Sequence, residues 1–177
     1  MSDTTLKLQR LMDTGFLNLR GDAANKEFSA AVEKVIAHAL PVVPNTVVNG
    51  THSTYWLGPN EWLLVGDSAD TSSLALALGE AVAHLHAAVN DLSGTYVTYR
   101  LSGDSAQLLL AKGCALDLDP GVFGHGACAQ TGLAKASVVL RPLPDESGFD
   151  VIVRRSFSDY VWQWLLRAGR EYRIEVA

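Results

Sequence analysis

The chain has 177 residues, of which 48% are apolar and 19% charged, with 14 Lys and Arg against 19 Asp and Glu for a net charge of −5. Typical soluble domains are about 25% charged, so this chain has less polar surface with which to cover itself and leans toward an assembled state. The acid excess argues against nucleic acid as a partner, and two cysteines do not make a disulfide framework. No stretch approaches the roughly 18 continuous apolar residues of a membrane helix, and residues 1–10 lack the apolar core of a signal peptide. A soluble, cytoplasmic protein with reduced thiols is expected.

Residues 1–14 read as a polar arm, and residues 15–177 as a single α+β domain. Alternation over 16–20 predicts a strand. Gly21-Asp22 then opens a helix through residue 40, with Phe28, Val32, Val35 and Ile36 on one stripe, ended by Pro41 and Pro44. Strands follow at 47–48, 55–57 and 62–65, the last two joined by a Gly58-Pro59-Asn60 turn. A second helix over 71–86 carries Leu74, Leu78, Val82 and Leu85. Val89 and residues 96–101 are strands again. Ser102-Gly103-Asp104 turns the chain, Asp104 caps a short helix, and Gly113 stops it in a backbone conformation of positive φ. A Gly-rich loop holding Cys114, His125 and Cys128 precedes a hairpin over 137–141 and 149–153. Ser156 and Asp159 have capping-box spacing before a last helix over 157–168, and 170–176 closes as an edge strand.

The order repeats. Leu19-Arg20-Gly21-Asp22 returns as Leu101-Ser102-Gly103-Asp104, and Leu63-Leu64-Val65 returns as Val151-Ile152-Val153. Two split βαβ-like pseudo-repeats, about 15–92 and 95–177, are expected to form one duplicated α+β domain.

Candidate chemistry is thin. Cys114 and Cys128 lie too far apart for a zinc knuckle, with only His125 between them, where zinc wants four ligands. Cys114 follows the C-terminal end of a helix, the wrong end to activate a thiolate. Gly121, Gly124 and Gly126 are not spaced as a dinucleotide loop and lack the strand and helix that would frame one. His84 and His86 face different sides of a helix. No paired carboxylates stand out, so no catalytic, cofactor-binding or metal residue is assigned.

The last helix carries more information. Phe157, Tyr160, Val161, Trp164, Leu165 and Ala168 form a stripe read as core, while Trp162 and Leu166 form a second one. An indole flanked by Arg154, Arg155 and Arg167 is what protein interfaces favour. Trp162 and Leu166 are therefore expected to face another subunit.

Several ordered blocks resemble a known family. They are Tyr55-Trp56-Leu57-Gly58-Pro59-Asn60-Glu61-Trp62, Ala111-Lys112-Gly113-Cys114-Ala115-Leu116, Cys128-Ala129-Gln130-Thr131 and Val153-Arg154-Arg155-Ser156-Phe157-Ser158-Asp159-Tyr160-Val161-Trp162. They resemble the gamma subunit of heterotetrameric sarcosine oxidase over residues 50 to 170. The resemblance implies a fold similar to the folate-binding domain of glycine cleavage aminomethyltransferase. It implies alpha, beta and delta subunits as partners, and an assembly that demethylates sarcosine to glycine. FAD, FMN, NAD, zinc and tetrahydrofolate are then expected in or between other subunits, with none in this chain. On that reading Trp56, Trp62, His125, Arg154, Arg155, Trp162 and Leu166 form the subunit interface of a non-catalytic chain. The alternative is a free-standing folate-binding aminomethyl-transfer domain, which needs a carboxylate that nothing in the sequence singles out.

Overall fold

The computed structural model describes residues 5–145 and 147–177. In chain order its elements are β1 (Thr5–Leu11), β2 (Thr14–Arg20), α1 (Lys26–Ile36), β3 (Val47–Val48), β4 (Ser53–Gly58), β5 (Glu61–Asp67), α2 (Ser68–Ala81) and β6 (Ala88–Asp91). Then come β7 (Tyr96–Ser102), α3 (Ala106–Ala111), β8 (Ala129–Leu133), β9 (Ala136–Pro142), β10 (Gly148–Arg154), a 3₁₀ turn at Arg155–Phe157, α4 (Ser158–Ala168) and β11 (Arg173–Val176). They divide into two compact units, residues 13–94 and residues 95–177 joined by 5–12.

The first unit is a five-stranded sheet in the order β3-β4-β5-β2-β6 with α1 and α2. Its core joins Leu17 and Leu19 of β2, Trp62 and Leu64 of β5, Phe28 and Val32 of α1, and Leu78 of α2. Helix α1 starts at Asn25, whose side-chain oxygen accepts from the amides of Glu27 (2.9 Å) and Phe28 (3.3 Å). Asp22, expected to open the helix, instead accepts from the Ala24 amide in a preceding turn. The helix stops at Ala37, which takes a left-handed conformation (φ 62°) and returns its amide to the Glu33 carbonyl. Helix α2 is capped by Asp67 and ends at Ala81, five residues short of the expected end.

The second unit is a six-stranded sheet in the order β11-β1-β7-β10-β9-β8 with α3 and α4. Both units run strand, helix, three strands, helix, strand, and the two sheets share a strand order once β1 is set aside. The repeated motifs fall on equivalent elements: Leu63-Leu64-Val65 on β5, and Val151-Ile152-Val153 on β10.

The exception is β1, and it corrects the expectation of a polar arm. Thr5–Leu11 lies between β7, to which it is antiparallel, and β11, to which it is parallel. Leu6 and Leu8 are fully buried in the core of this unit. Their period-two alternation with Lys7 and Gln9 is that of a strand with one buried face. Residues 1–4 lie outside the described residues. Strand β8 is a second correction, since it occupies the end of what reads as a Gly-rich loop.

Two glycines hold this unit together, for different reasons. Gly103 has φ +111°, and a Cβ there would sit 2.3 Å from the Thr5 carbonyl oxygen, so the turn after β7 admits glycine alone. Gly113 does not take the expected positive φ. A Cβ there would sit 2.4 Å from the Trp164 ring, so what requires glycine is close packing of the chain after α3 against α4. Gly113→Ala is expected to cost about 1–3 kcal/mol by overpacking, read as a lowered midpoint of urea unfolding with an unchanged slope.

Candidate functional site: the arginine and aromatic corner of helix α4

Strand β10 ends at Arg154, whose guanidinium lies 5.7 Å from the Tyr96 ring centroid. Arg155 follows, exposed, its amide donating to the Thr95 carbonyl at 2.7 Å. The expected capping box at Ser156 and Asp159 does not form. A 3₁₀ turn leads into α4 instead, and no side chain caps the helix.

The buried line of α4 is Ser158, Val161 and Leu165. Phe157 and Tyr160, expected in the core, flank that line on the outside and are 44% and 39% exposed. The Tyr160 hydroxyl accepts from the Lys135 amide at 3.2 Å. On the other flank Trp162 and Leu166 are half-buried against the core, with the Trp162 ring 5.2 Å from Tyr99 between centroids. The Tyr99 hydroxyl donates to the Ser158 carbonyl at 3.0 Å, and burial raises its pKa. Trp162 and Leu166 thus offer a partner only their outer edges, and Phe157 and Tyr160 offer more.

The hairpin tryptophans divide. Trp56 on β4 is half-buried. Trp62, its cross-strand neighbour on β5, is wholly buried: its indole N–H donates to the Pro41 carbonyl at 2.8 Å and its ring lies 5.9 Å from that of Phe28. This corrects its assignment to a subunit interface, because a side chain with no exposed surface cannot meet a partner. His125 is exposed, and its Nδ1–H donates to the Pro144 carbonyl at 3.3 Å.

Cys114 and Cys128 are buried free thiols. The Cys114 sulfur lies 3.8 Å from the Thr131 hydroxyl. Among the described residues no three His, Cys, Asp or Glu side chains gather as a metal site.

One charged cluster was not foreseen. Asp150 of β10, 4% exposed, accepts from Arg100 of β7 through both oxygens (2.8 and 3.0 Å) and from Arg141 of β9 (3.0 and 3.1 Å). The three sit opposite one another in the sheet register, which the sequence alone does not supply. The cluster ties the register of three strands. Asp150→Ala leaves two guanidinium groups facing each other without their shared anion. A loss of about 3 kcal/mol is expected, at the low end for a broken buried pair because Arg100 reaches solvent, and chemical denaturation measures it.

A surface clamp ties the end of α3 to the end of α4. The Lys112 ammonium donates to the Ala168 carbonyl and to Glu171, and lies over the Tyr172 ring. The hydrogen bond from Lys112 holds the Glu171 carboxyl below its ordinary 4.5, and the same bond raises the Lys112 pKa. A depressed carboxylate stabilises the fold above its unfolded pKa and loses that contribution as pH falls through the folded value. The wild type should therefore lose more stability than Glu171→Gln between pH 5 and pH 3, as followed by thermal unfolding.

A shallow trough of about 380 Å³ runs beside the α4 corner, lined by Tyr96, Gln130, Gly132, Ser137, Ile152 and Arg154 among others. No described helix is long and apolar enough to cross a membrane.

Comparison with known proteins gives this geometry a family. Residues 20–171 match the sarcosine oxidase, gamma subunit family. The sarcosine oxidase gamma subunit of Corynebacterium sp. (strain P-1) is 32% identical over 148 residues, covering 82% of this chain and 71% of that protein. That of Corynebacterium sp. (strain U-96) is 32% identical over 146 residues, covering 81% and 69%. In three dimensions the chain matches one chain of the heterotetrameric sarcosine oxidase from Corynebacterium sp. U-96, in complex with pyrrole 2-carboxylate. The TM-score is 0.88 at 30% identity, over 97% of this chain and 88% of that one. Glycine cleavage system aminomethyltransferase T from Bartonella henselae shares the fold at TM-score 0.67 and 16% identity, this chain spanning 47% of its length. The expected kinship of fold with that transferase is therefore present, and with a family match over most of its length the chain belongs to the sarcosine oxidase gamma subunit family.

Proposed function

We propose that the chain is the structural, non-catalytic gamma subunit of a heterotetrameric sarcosine oxidase, assembled in the cytoplasm with alpha, beta and delta subunits. The complex takes sarcosine, oxygen and water to glycine, formaldehyde and hydrogen peroxide, or passes the one-carbon unit to tetrahydrofolate. FAD, FMN, NAD, zinc and the folate site belong to the other subunits. The observation that carries this reading is the structural match over 97% of the chain to a subunit of such a complex.

The chain's contribution is surface. Trp56, His125, Arg154, Arg155, Trp162 and Leu166 form the subunit contact on this reading, with Phe157 and Tyr160 added and Trp62 removed because it is core. Exposed aromatic groups beside arginine are favoured at the centres of interfaces. The free-standing aminomethyl-transfer reading is not favoured, since the likeness to the transferase extends to the fold only.

Co-expression with candidate alpha, beta and delta chains, followed by size exclusion, tests the proposal. Co-elution of all four at fixed stoichiometry is the expected result. A chain that elutes alone while the other three form a complex removes it.

A further inference from the structure

Charge is spread unevenly along this chain. Residues 154–170, which span the 3₁₀ turn and α4, carry Arg154, Arg155, Arg167 and Arg170 against Asp159 alone. Of the 14 basic and 19 acidic residues, that leaves ten basic and 18 acidic for the rest of the chain. An acidic protein thus presents one arginine-rich segment. All four of its arginines are exposed. Arg167 and Arg170 make no ion pair with a carboxylate among the described residues.

The same segment carries apolar surface. Tyr160, Trp164 and Arg167 stand at i, i+4 and i+7 and share one flank of α4. That flank lies beside the buried line of Ser158, Val161 and Leu165, and Phe157 precedes it in the 3₁₀ turn. The rings are held before any partner arrives. The Tyr160 hydroxyl accepts from the Lys135 amide at 3.2 Å, and half-buried Trp164 packs against the backbone at Gly113. Ordering them on binding therefore costs little. Aromatic rings beside arginine make up the centres of protein interfaces, and a guanidinium with no anion of its own sets the charge of what it meets.

We infer that this flank of α4 seats an acidic segment of a partner subunit, whose apolar side chains cover Phe157, Tyr160 and Trp164 and whose carboxylate pairs with Arg167. The inference rests on the proposed subunit role and adds the chemistry of the partner. A second copy of this chain fits less well, because a two-fold contact through the same flank sets arginine-rich surface against itself.

The test uses the isolated full chain and the complex reconstituted with the other three subunits. Hydroxyl-radical oxidation of Phe157 and Tyr160 should fall about fivefold in the complex, as their rings leave solvent. Arg167→Ala removes the charge. Gln163→Glu sets a carboxylate four residues before Arg167, a spacing that stabilises a helix, so it engages Arg167 from within the chain. Both positions are exposed, and each isolated variant should unfold thermally close to the wild type. Each should bind the remaining subunits about tenfold more weakly, with a reduced dependence on salt, whereas Arg167→Lys should retain most of the binding. Carbodiimide, which joins an amine to a carboxylate, should cross-link the Arg167→Lys variant at that position to an Asp or Glu of a partner subunit. Wild-type chain that co-elutes with Phe157 and Tyr160 oxidised as in isolation, or variants that bind as the wild type does, would overturn this inference and leave the subunit role intact. A cross-link from position 167 only to a second copy of this chain overturns it as well. Failure of the wild type to co-elute overturns both.

Discussion

Trp62→Ala should destabilise the isolated chain by about 3–5 kcal/mol, the range for deleting a large aromatic from a packed core. Trp62 is wholly buried, its ring beside Phe28 and its indole N–H on the Pro41 carbonyl. The loss has two parts, a cavity in the core that holds Leu17, Leu19, Val32 and Leu78, and an unsatisfied Pro41 carbonyl in the loop after α1. Urea unfolding of the isolated chain measures it. An interface tryptophan would behave in the opposite way, leaving the isolated chain unchanged and weakening assembly. Unfolding within about 0.5 kcal/mol of the wild type would therefore return Trp62 to the surface.

Deleting residues 5–12 should have a larger effect still, abolishing cooperative folding of the unit formed with residues 95–177. The deletion removes a strand from inside a six-stranded sheet, leaving β7 and β11 without their common neighbour and exposing the core covered by Leu6 and Leu8. Hydrogen exchange should show β7 and β11 losing protection. If residues 5–12 were a dispensable arm, the deleted chain would unfold with the wild-type midpoint. The milder Leu8→Ala, with an expected loss of about 2–5 kcal/mol, separates a missing strand from a merely shortened chain.

These two positions also show where the sequence was readable. Most strands announced themselves by apolar alternation or by a turn signal, and the Gly58-Pro59-Asn60 turn lies at the tip of the β4–β5 hairpin, as expected. Strand β1 has the same alternation, but its neighbours are 80 to 170 residues away, and no local signal says that Lys7 and Arg10 sit on a strand inside a sheet. Trp62 could not be separated from Trp56 because Trp62, Leu63 and Leu64 are all buried; a strand covered on both faces has no alternation to read. On α4 the apolar residues span most of the circumference. Periodicity alone therefore centred the buried stripe one position off and left Phe157 and Tyr160 on the wrong side of it. Strand β8 was hidden by its composition, since Ala-Gln-Thr-Gly-Leu has little β-propensity. The Arg100–Asp150–Arg141 cluster depends on the register of three strands and has no signature within any one of them.

Of the buried polar groups, Asp150 joins three strands, and the Cys114 sulfur lies 3.8 Å from the Thr131 hydroxyl. What distinguishes the surface is an aromatic and arginine corner, suited to binding another chain.

The most direct test of a structural role is to omit this chain from a co-expressed complex and measure what remains. Sarcosine-dependent peroxide production should be followed per bound flavin, beside the yield of assembled complex by size exclusion. The account predicts that omission lowers the yield several-fold while turnover per flavin and the flavin absorbance spectrum of the residual complex stay unchanged. Full yield with turnover per flavin reduced to background would place this chain in the chemistry and contradict the account.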